Sequence, residues 1–305
     1  MSKNKKNKKQ NKFRGNNRRQ NAKRAKSPED FFITIDIGEF IDKVRKFRNN
    51  ISPRMSAEEI RDSLLNILTF NGEFKMDARD GDFPRDTYFF RVREYDDNDP
   101  SLKTESGFWN PPNEVVTEWG RFNRPGVSKL YTAAKHQQIA LEEMKHITEK
   151  KPFVLIAYKA KQTIKSQFLG DMIEYKNFKS EKAKTAAKVY NDFLRTELTR
   201  DVGKETEYLY KISTILSEVF HDTSKVHNAF YYPCVKRQEM HNTCFRGENI
   251  RNLLDFQWAM QLEKCGADYN YTHIVEDFSE TGKAIYKPKF IKIPEEMGFC
   301  LKPNS

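Results

Sequence analysis

Trp119-Gly120-Arg121-Phe122-Asn123-Arg124-Pro125-Gly126, followed by Lys129-Leu130-Tyr131-Thr132-Ala133-Ala134 and by the segment His136 to Lys150, is the stretch whose reading decides the fold. The glycines and the proline mark a turn around Arg121, the apolar run reads as a short strand, and the third segment has helical spacing and carries Glu142 and Glu143. A strand and a helix joined by a short loop pack together. Arg121, Tyr131 and Glu142 therefore arrive from three successive elements and are expected to share one cleft.

Outward from this stretch, Thr87 to Arg93 and Phe153 to Ala160 read as strands, Lys179 to Thr199 and Glu205 to Phe220 as helices, and Ala229 to Val235 as a strand. The remainder reads as short strands and loops, including Thr272 to Val275 and Phe290 to Ile293. Asp96 to Pro112 is a long polar connection containing Phe108 and Trp109, which makes it a candidate lid. Strands and helices without a strict βαβ rhythm predict an α+β fold whose sheet is split or strongly bent.

Toward the amino terminus, Ser27 suits a helix cap with Pro28 in the first turn, and Phe31 to Ile37 is ambiguous between strand and helix. Phe40, Ile41, Val44 and Phe47 recur at helical spacing, and Ser56 with Glu59 forms a capping-box signal before Ile60, Leu64 and Leu65. Residues 28–80 are thus expected to be a mostly helical appendage, its apolar face docked on the body, residues 81–305, or on a second copy.

The net charge of +11 has a local origin. Residues 1–27 hold 12 Lys or Arg and no Asp or Glu, which leaves 42 basic against 43 acidic residues in the rest. Such a segment cannot bury enough apolar surface to order itself, so a disordered tail is expected, suited either to weak, salt-dependent nucleic-acid contact or to solubility. The chain shows no signal-peptide core and no run of membrane-spanning length, and its four cysteines lack metal spacing. A cytoplasmic protein with reduced thiols, no membrane and no metal is the expectation. No Gly-x-Gly occurs, so a Rossmann nucleotide site and a phosphate loop are both disfavoured.

The order Gly-Arg-Phe-Asn-x-x-Gly, Leu-Tyr and a glutamate-bearing helix resembles the RES domain, named for its arginine, glutamate and serine. Tyr131 lies 10 residues and Glu142 lies 21 residues after Arg121, so the pattern aligns without a gap. Phe89-Phe90-Arg91-Val92-Arg93 resembles that family's first arginine strand, and Trp109-Asn110-Pro111-Pro112 sits where a Pro-Pro often precedes the turn. Phe230-Tyr231-Tyr232-Pro233-Cys234-Val235 resembles the strand that carries the serine, with Cys234 at the serine position, followed by Asn242 and Phe245.

The resemblance implies an ADP-ribosyltransferase-like fold with a bent or split sheet and flanking helices. It also implies an enzyme that cleaves NAD+ as a substrate, with no separate cofactor. In such a site Arg121 and Arg91 would hold the diphosphate, Tyr131 would stack on nicotinamide, Asn123 would cap the turn or hold a ribose hydroxyl, and Glu142 would stabilise the oxocarbenium ion. Helical spacing puts Glu143 nearer the apolar side than Glu142, whereas gapless spacing favours Glu142. A thiol at 234 implies weaker hydrogen bonding than a serine hydroxyl, hence a slower enzyme, another acceptor, a degenerate copy or a tolerated exchange. Phosphate or water would accept ADP-ribose. By the same resemblance the protein would be a toxin that depletes NAD+, neutralised by an Xre-like antitoxin. Two alternatives stay open: ADP-ribosylation of a protein or nucleic acid, and a non-catalytic module whose tail holds RNA.

Overall fold

A computed structural model of the chain describes residues 27–74, 79–96, 98, 100–143, 151–170, 175–203, 205–222, 226–234, 240–247, 249–265, 268–287 and 301–303. The expectations of a disordered tail before Ser27, of helix beyond Glu143 and of a strand at Phe290 to Ile293 fall outside these residues.

Three helices come first: α1 (Pro28–Ile33), α2 (Ile37–Asn50) and α3 (Ala57–Ile67). Their starts are set by side chains that satisfy orphan backbone N–H groups. Ser27 and Asp30 form a capping box on α1, Asp36 caps α2, and Ser56 with Glu59 forms a second box on α3. The ambiguous Phe31 to Ile37 therefore begins in the helical state. The chain continues through β1 (Thr69–Phe70), β2 (Glu73–Phe74), β3 (Arg79–Phe83), β4 (Tyr88–Glu94), β5 (Lys129–Ala134), α4 (Gln137–Glu143), β6 (Pro152–Ala160) and β7 (Ile164–Phe168). Then come α5 (Glu181–Thr199), α6 (Tyr210–Ser217), β8 (Ala229–Pro233), β9 (His241–Arg246), α7 (Ile250–Leu253), β10 (Leu254–Cys265), β11 (Asp268–Phe278), β12 (Ala284–Lys287) and β13 (Leu301–Pro303).

The fold is α+β. Eleven strands form one mixed sheet in the order β12-β11-β10-β6-β4-β5-β9-β8-β7-β3, with β13 beside β11, and β1 pairs separately with β2. The β7–β8 and β11–β13 pairs are parallel and the others antiparallel. Instead of the short strands expected near the carboxyl end, β10 and β11 make a long hairpin, because residues 254–263 stay paired with β6 on their other edge.

Alternation along each strand sorts the core by face. On one face, Phe122, Phe230, Tyr232 and Cys244 join the helices in a first cluster that reaches Phe32, Leu64 and Tyr190. The amino-terminal helices thus share a core with α5, α6 and β8. The buried carboxylate of Glu197 ties them further, pairing with Arg48 of α2 and with Arg200. On the same face Phe90, Ala133, Leu155 and Trp258 pack with Ile139 and Ala140 of α4 in another cluster. The opposite face carries one cluster in which Phe89, Leu130, Ile156 and Phe245 meet Phe108, Trp109 and Ile250. No helix among the described residues is long and apolar enough to cross a membrane.

Candidate functional site

Strand β4 pairs with β6 along its whole length, from Tyr88↔Lys159 to Glu94↔Phe153. With β5 it pairs only at Phe89↔Ala134 and Phe90↔Ala133. Beyond that point the two strands part. A cavity of about 260 Å³ is lined by Arg91 and Val92 on one side, by Tyr131 and Thr132 on the other, and by Tyr232, Asn242 and Ala140 around it. It lies where the two apolar clusters of the helical face are divided, with Tyr131 and Tyr232 against the first and Ala133 and Ala140 in the other.

The turn before β5 fixes one wall. Phe122 is fully buried, its ring edge-on to Phe230 (5.0 Å) and Tyr232 (4.5 Å). That anchor brings the turn's polar atoms onto β5: the Tyr131 hydroxyl donates to Asn123 Oδ1 (2.7 Å) and accepts from the Phe122 N–H (3.1 Å). A Cβ at Gly120 would lie 2.3 Å from Asn123 Oδ1, so only glycine leaves room for this arrangement. Burial pushes the Tyr131 phenol well above its ordinary pKa, with the Cys244 thiol and the Tyr232 phenol adding to the shift. The ring is therefore a neutral, oriented wall near neutral pH.

Arg121 turns to the helices. Its Nη1 donates to the carbonyls of Leu198 and Arg200 (both 3.1 Å) at the end of α5, where helical carbonyls lack partners, and its guanidinium lies over the Tyr210 ring. Its own carbonyl accepts from the Ser213 hydroxyl, and that of Gly120 accepts from Thr214 (3.0 Å), so the turn is bolted to α6. Arg124 adds an ion pair to Glu218.

The Arg91 backbone borders the cavity, but its side chain, in register with Phe89, belongs to the opposite face and donates to the Trp109 carbonyl (2.7 Å). Arg93 does the same to Gly107, and the Tyr158 hydroxyl to Phe108. Burial raises the Tyr158 pKa to about 12 against the opposing charge of Arg91 and Arg93. The connection expected to be a lid is thus pinned through buried Phe108 and Trp109, whose rings belong to the core of the opposite face.

Ala140 of α4 faces the cavity, and Glu142 is two residues further, about 200° round the helix. Its half-buried carboxylate accepts from Gln138 (3.2 Å) and lies near Tyr269, whose pKa is raised first by burial and then by this charge. The Glu143 side chain is outside the described atoms. Cys234 is a fully buried cysteine packed in the cluster of Ala133 and Ala140, its backbone N–H donating to the Met240 carbonyl (2.7 Å).

Tyr131 and Asn123 are thus joined directly, with Arg121 bracing their turn from behind. The guanidinium of Arg91 and the carboxylate of Glu142 are held elsewhere. Thr132 was not singled out from sequence, and neither were Tyr232 and Asn242 given roles. Their place at the cavity follows from the registers Thr132↔Thr243 and Tyr232↔Asn242, which only strand pairing supplies. Among the described residues no group of His, Cys, Asp or Glu is arranged to hold a metal ion. No family model matches the chain, and no curated protein matches its sequence.

Proposed function

We propose that the chain cleaves the nicotinamide–ribose bond of NAD+ in the opening between β4 and β5, on an ADP-ribosyltransferase-like sheet, and passes ADP-ribose to phosphate or water. The observation that carries this reading is the parting of β4 and β5 after two register pairs, which leaves a polar-rimmed cavity beside the tyrosine of the RES-like motif. Its volume is below the roughly 300–1,000 Å³ typical of sites that enclose a whole ligand, so it suits the nicotinamide riboside end, with the adenylate outside.

In this reading the fixed Tyr131 ring stacks on nicotinamide, and Asn242, whose register partner Tyr232 lies on the same face, offers hydrogen bonds to the amide or ribose. The C–N bond breaks with its electron pair leaving on nicotinamide, and a phosphate or water oxygen then bonds the ribose carbon, water releasing a proton as it does so. The leaving group is a cation and needs no general acid, so one carboxylate that steadies the oxocarbenium ion is enough. Glu142 is assigned that role on motif spacing alone, which requires α4 to turn so that the carboxylate leaves Gln138 and enters the cavity. Arg121 acts as a positioning residue that holds the turn of Asn123, and Arg91 as one that holds the loop of Trp109 against the sheet.

The test is chromatography of NAD+ incubated with the purified chain, with and without phosphate. Wild type should release nicotinamide, Glu142→Gln should lose turnover, and Glu143→Gln run beside it decides between the two carboxylates. Ala140→Leu, which fills the cavity from α4, should abolish turnover while the chain stays folded. NAD+ left intact by the wild type would end the proposal.

A further inference from the structure

A single row of side chains crosses four strands where β4 and β5 begin to part. Phe90 pairs in register with Ala133, Ala133 with Asn242, and Asn242 with Tyr232, so the four stand side by side on the helical face, and all of them line the cavity of about 260 Å³. Neighbouring strands lie about 4.8 Å apart, which sets Phe90 and Asn242 roughly 9–10 Å from each other with only the Ala133 methyl between them. The aromatic ends of the row are fixed from outside: Phe90 lies nearly parallel to the Tyr88 ring (6.2 Å), and Tyr232 stands edge-on to Phe122 (4.5 Å).

Asn242 is the amide of this row. It is 5% exposed, and its side chain makes no hydrogen bond with a described residue, although it forms part of the cavity wall. A carboxamide buried without partners costs stability, because its NH2 and its carbonyl have both given up water. The group that answers it is another primary carboxamide, which returns one donor and one acceptor in two parallel hydrogen bonds. A carboxylate meets the NH2 but sets its own charge against the Asn242 oxygen. The burial that holds the Tyr131 phenol neutral opposes that charge a second time.

We infer that Asn242 is the specificity-determining residue of this cavity and selects an aromatic primary carboxamide over the corresponding carboxylate. The inference rests on the proposed reading of the opening as the nicotinamide end of a substrate site, and it adds which side chain reads the amide. The cavity holds one ring with its amide, and Phe90, Val92 and Ala140 give that ring an apolar surface. A buried site that hydrogen-bonds one group discriminates strongly against an analogue lacking it, because its own polar atoms then stay unpaired.

NMR titration of the full chain with benzamide, nicotinamide, benzoate and nicotinate tests this without NAD+. The two carboxamides should bind about tenfold more tightly than the two carboxylates, and the side-chain amide resonances of Asn242 should move on addition of benzamide. Asn242→Leu should weaken benzamide about tenfold and erase its advantage over benzoate, while the thermal unfolding midpoint holds or rises because no protein partner loses a bond. Ala133→Val, which raises the floor between Phe90 and Asn242, should weaken all four ligands. Equal binding of benzamide and benzoate, no binding of benzamide by folded protein, or a preference that survives Asn242→Leu would each overturn the inference. NAD+ cleaved by a chain that binds benzamide and benzoate alike would remove this inference and leave the proposed activity, whereas benzamide held through Asn242 with NAD+ left intact would do the reverse.

Discussion

The two faces of the large sheet are made from the same strands and differ in how they are closed. On one face a single cluster runs beneath the place where β4 and β5 part, and Phe89 and Phe245 meet across it at 5.0 Å. On the other, helices α5 and α6 and helix α4 cover separate areas, and the cavity beside Tyr131 lies at their division. One face keeps the strands together while the other lets them diverge. A continuous core beneath a parted strand pair gives a rigid floor, which is what a binding site on irregular pairing requires.

Phe89→Ala attacks the floor and should have the largest effect. Removing a fully buried ring that touches Phe83 and Phe245 should cost about 3–5 kcal/mol in denaturant unfolding. A cost as small as that of a surface change would mean that the two strands are not held from below.

Arg121→Ala should come next, at about 1.5–3 kcal/mol, since two carbonyls at the end of α5 lose a charged donor. Arg121→Lys should recover only part of this, because an ammonium does not reproduce the planar guanidinium over the Tyr210 ring. If Arg121→Ala instead left stability unchanged and raised KM for NAD+ alone, its guanidinium would belong to the substrate rather than to the helix.

Tyr131→Phe should have the smallest effect on stability, about 1 kcal/mol, because it removes one hydroxyl with its two hydrogen bonds and keeps the ring. It also sharpens the comparison through pH. The folded pKa values of Tyr131 and Tyr158 both lie above that of an unfolded tyrosine, near 10, so their contribution is fully present below about pH 10 and is lost as pH rises through the folded values, about 12 for Tyr158. Tyr131→Phe and Tyr158→Phe should each flatten that alkaline loss of stability, one on each face. Phenolate absorbance followed beside unfolding would detect it.

Local signals were legible where the physics is local. Ser27, Ser56 and Glu59 announce helix starts, and Phe153 to Ala160 announces a buried strand, because capping and side-chain alternation act over a few residues. The turn at Gly120 and its link to Tyr131 were legible as a motif. The candidate lid at Asp96–Pro112 is anchored by the aromatics that marked it out, which are core residues, and the sequence carries no sign of which face they fill.

The sequence by itself determined where helices α2, α3 and α5 and strands β4, β6 and β8 form, that the chain would be α+β, and that a turn, a strand and a helix around residues 119–143 would be contiguous. Tertiary structure alone decided that β4 keeps one neighbour and leaves the other after two residue pairs, that Arg121 faces α5, and that Arg91 and Tyr131 lie on opposite faces. Helix caps and strand alternation are settled within a few residues, whereas strand partners and side-chain destinations depend on segments more than a hundred positions away, as Thr132 is from Thr243 and Arg48 from Glu197.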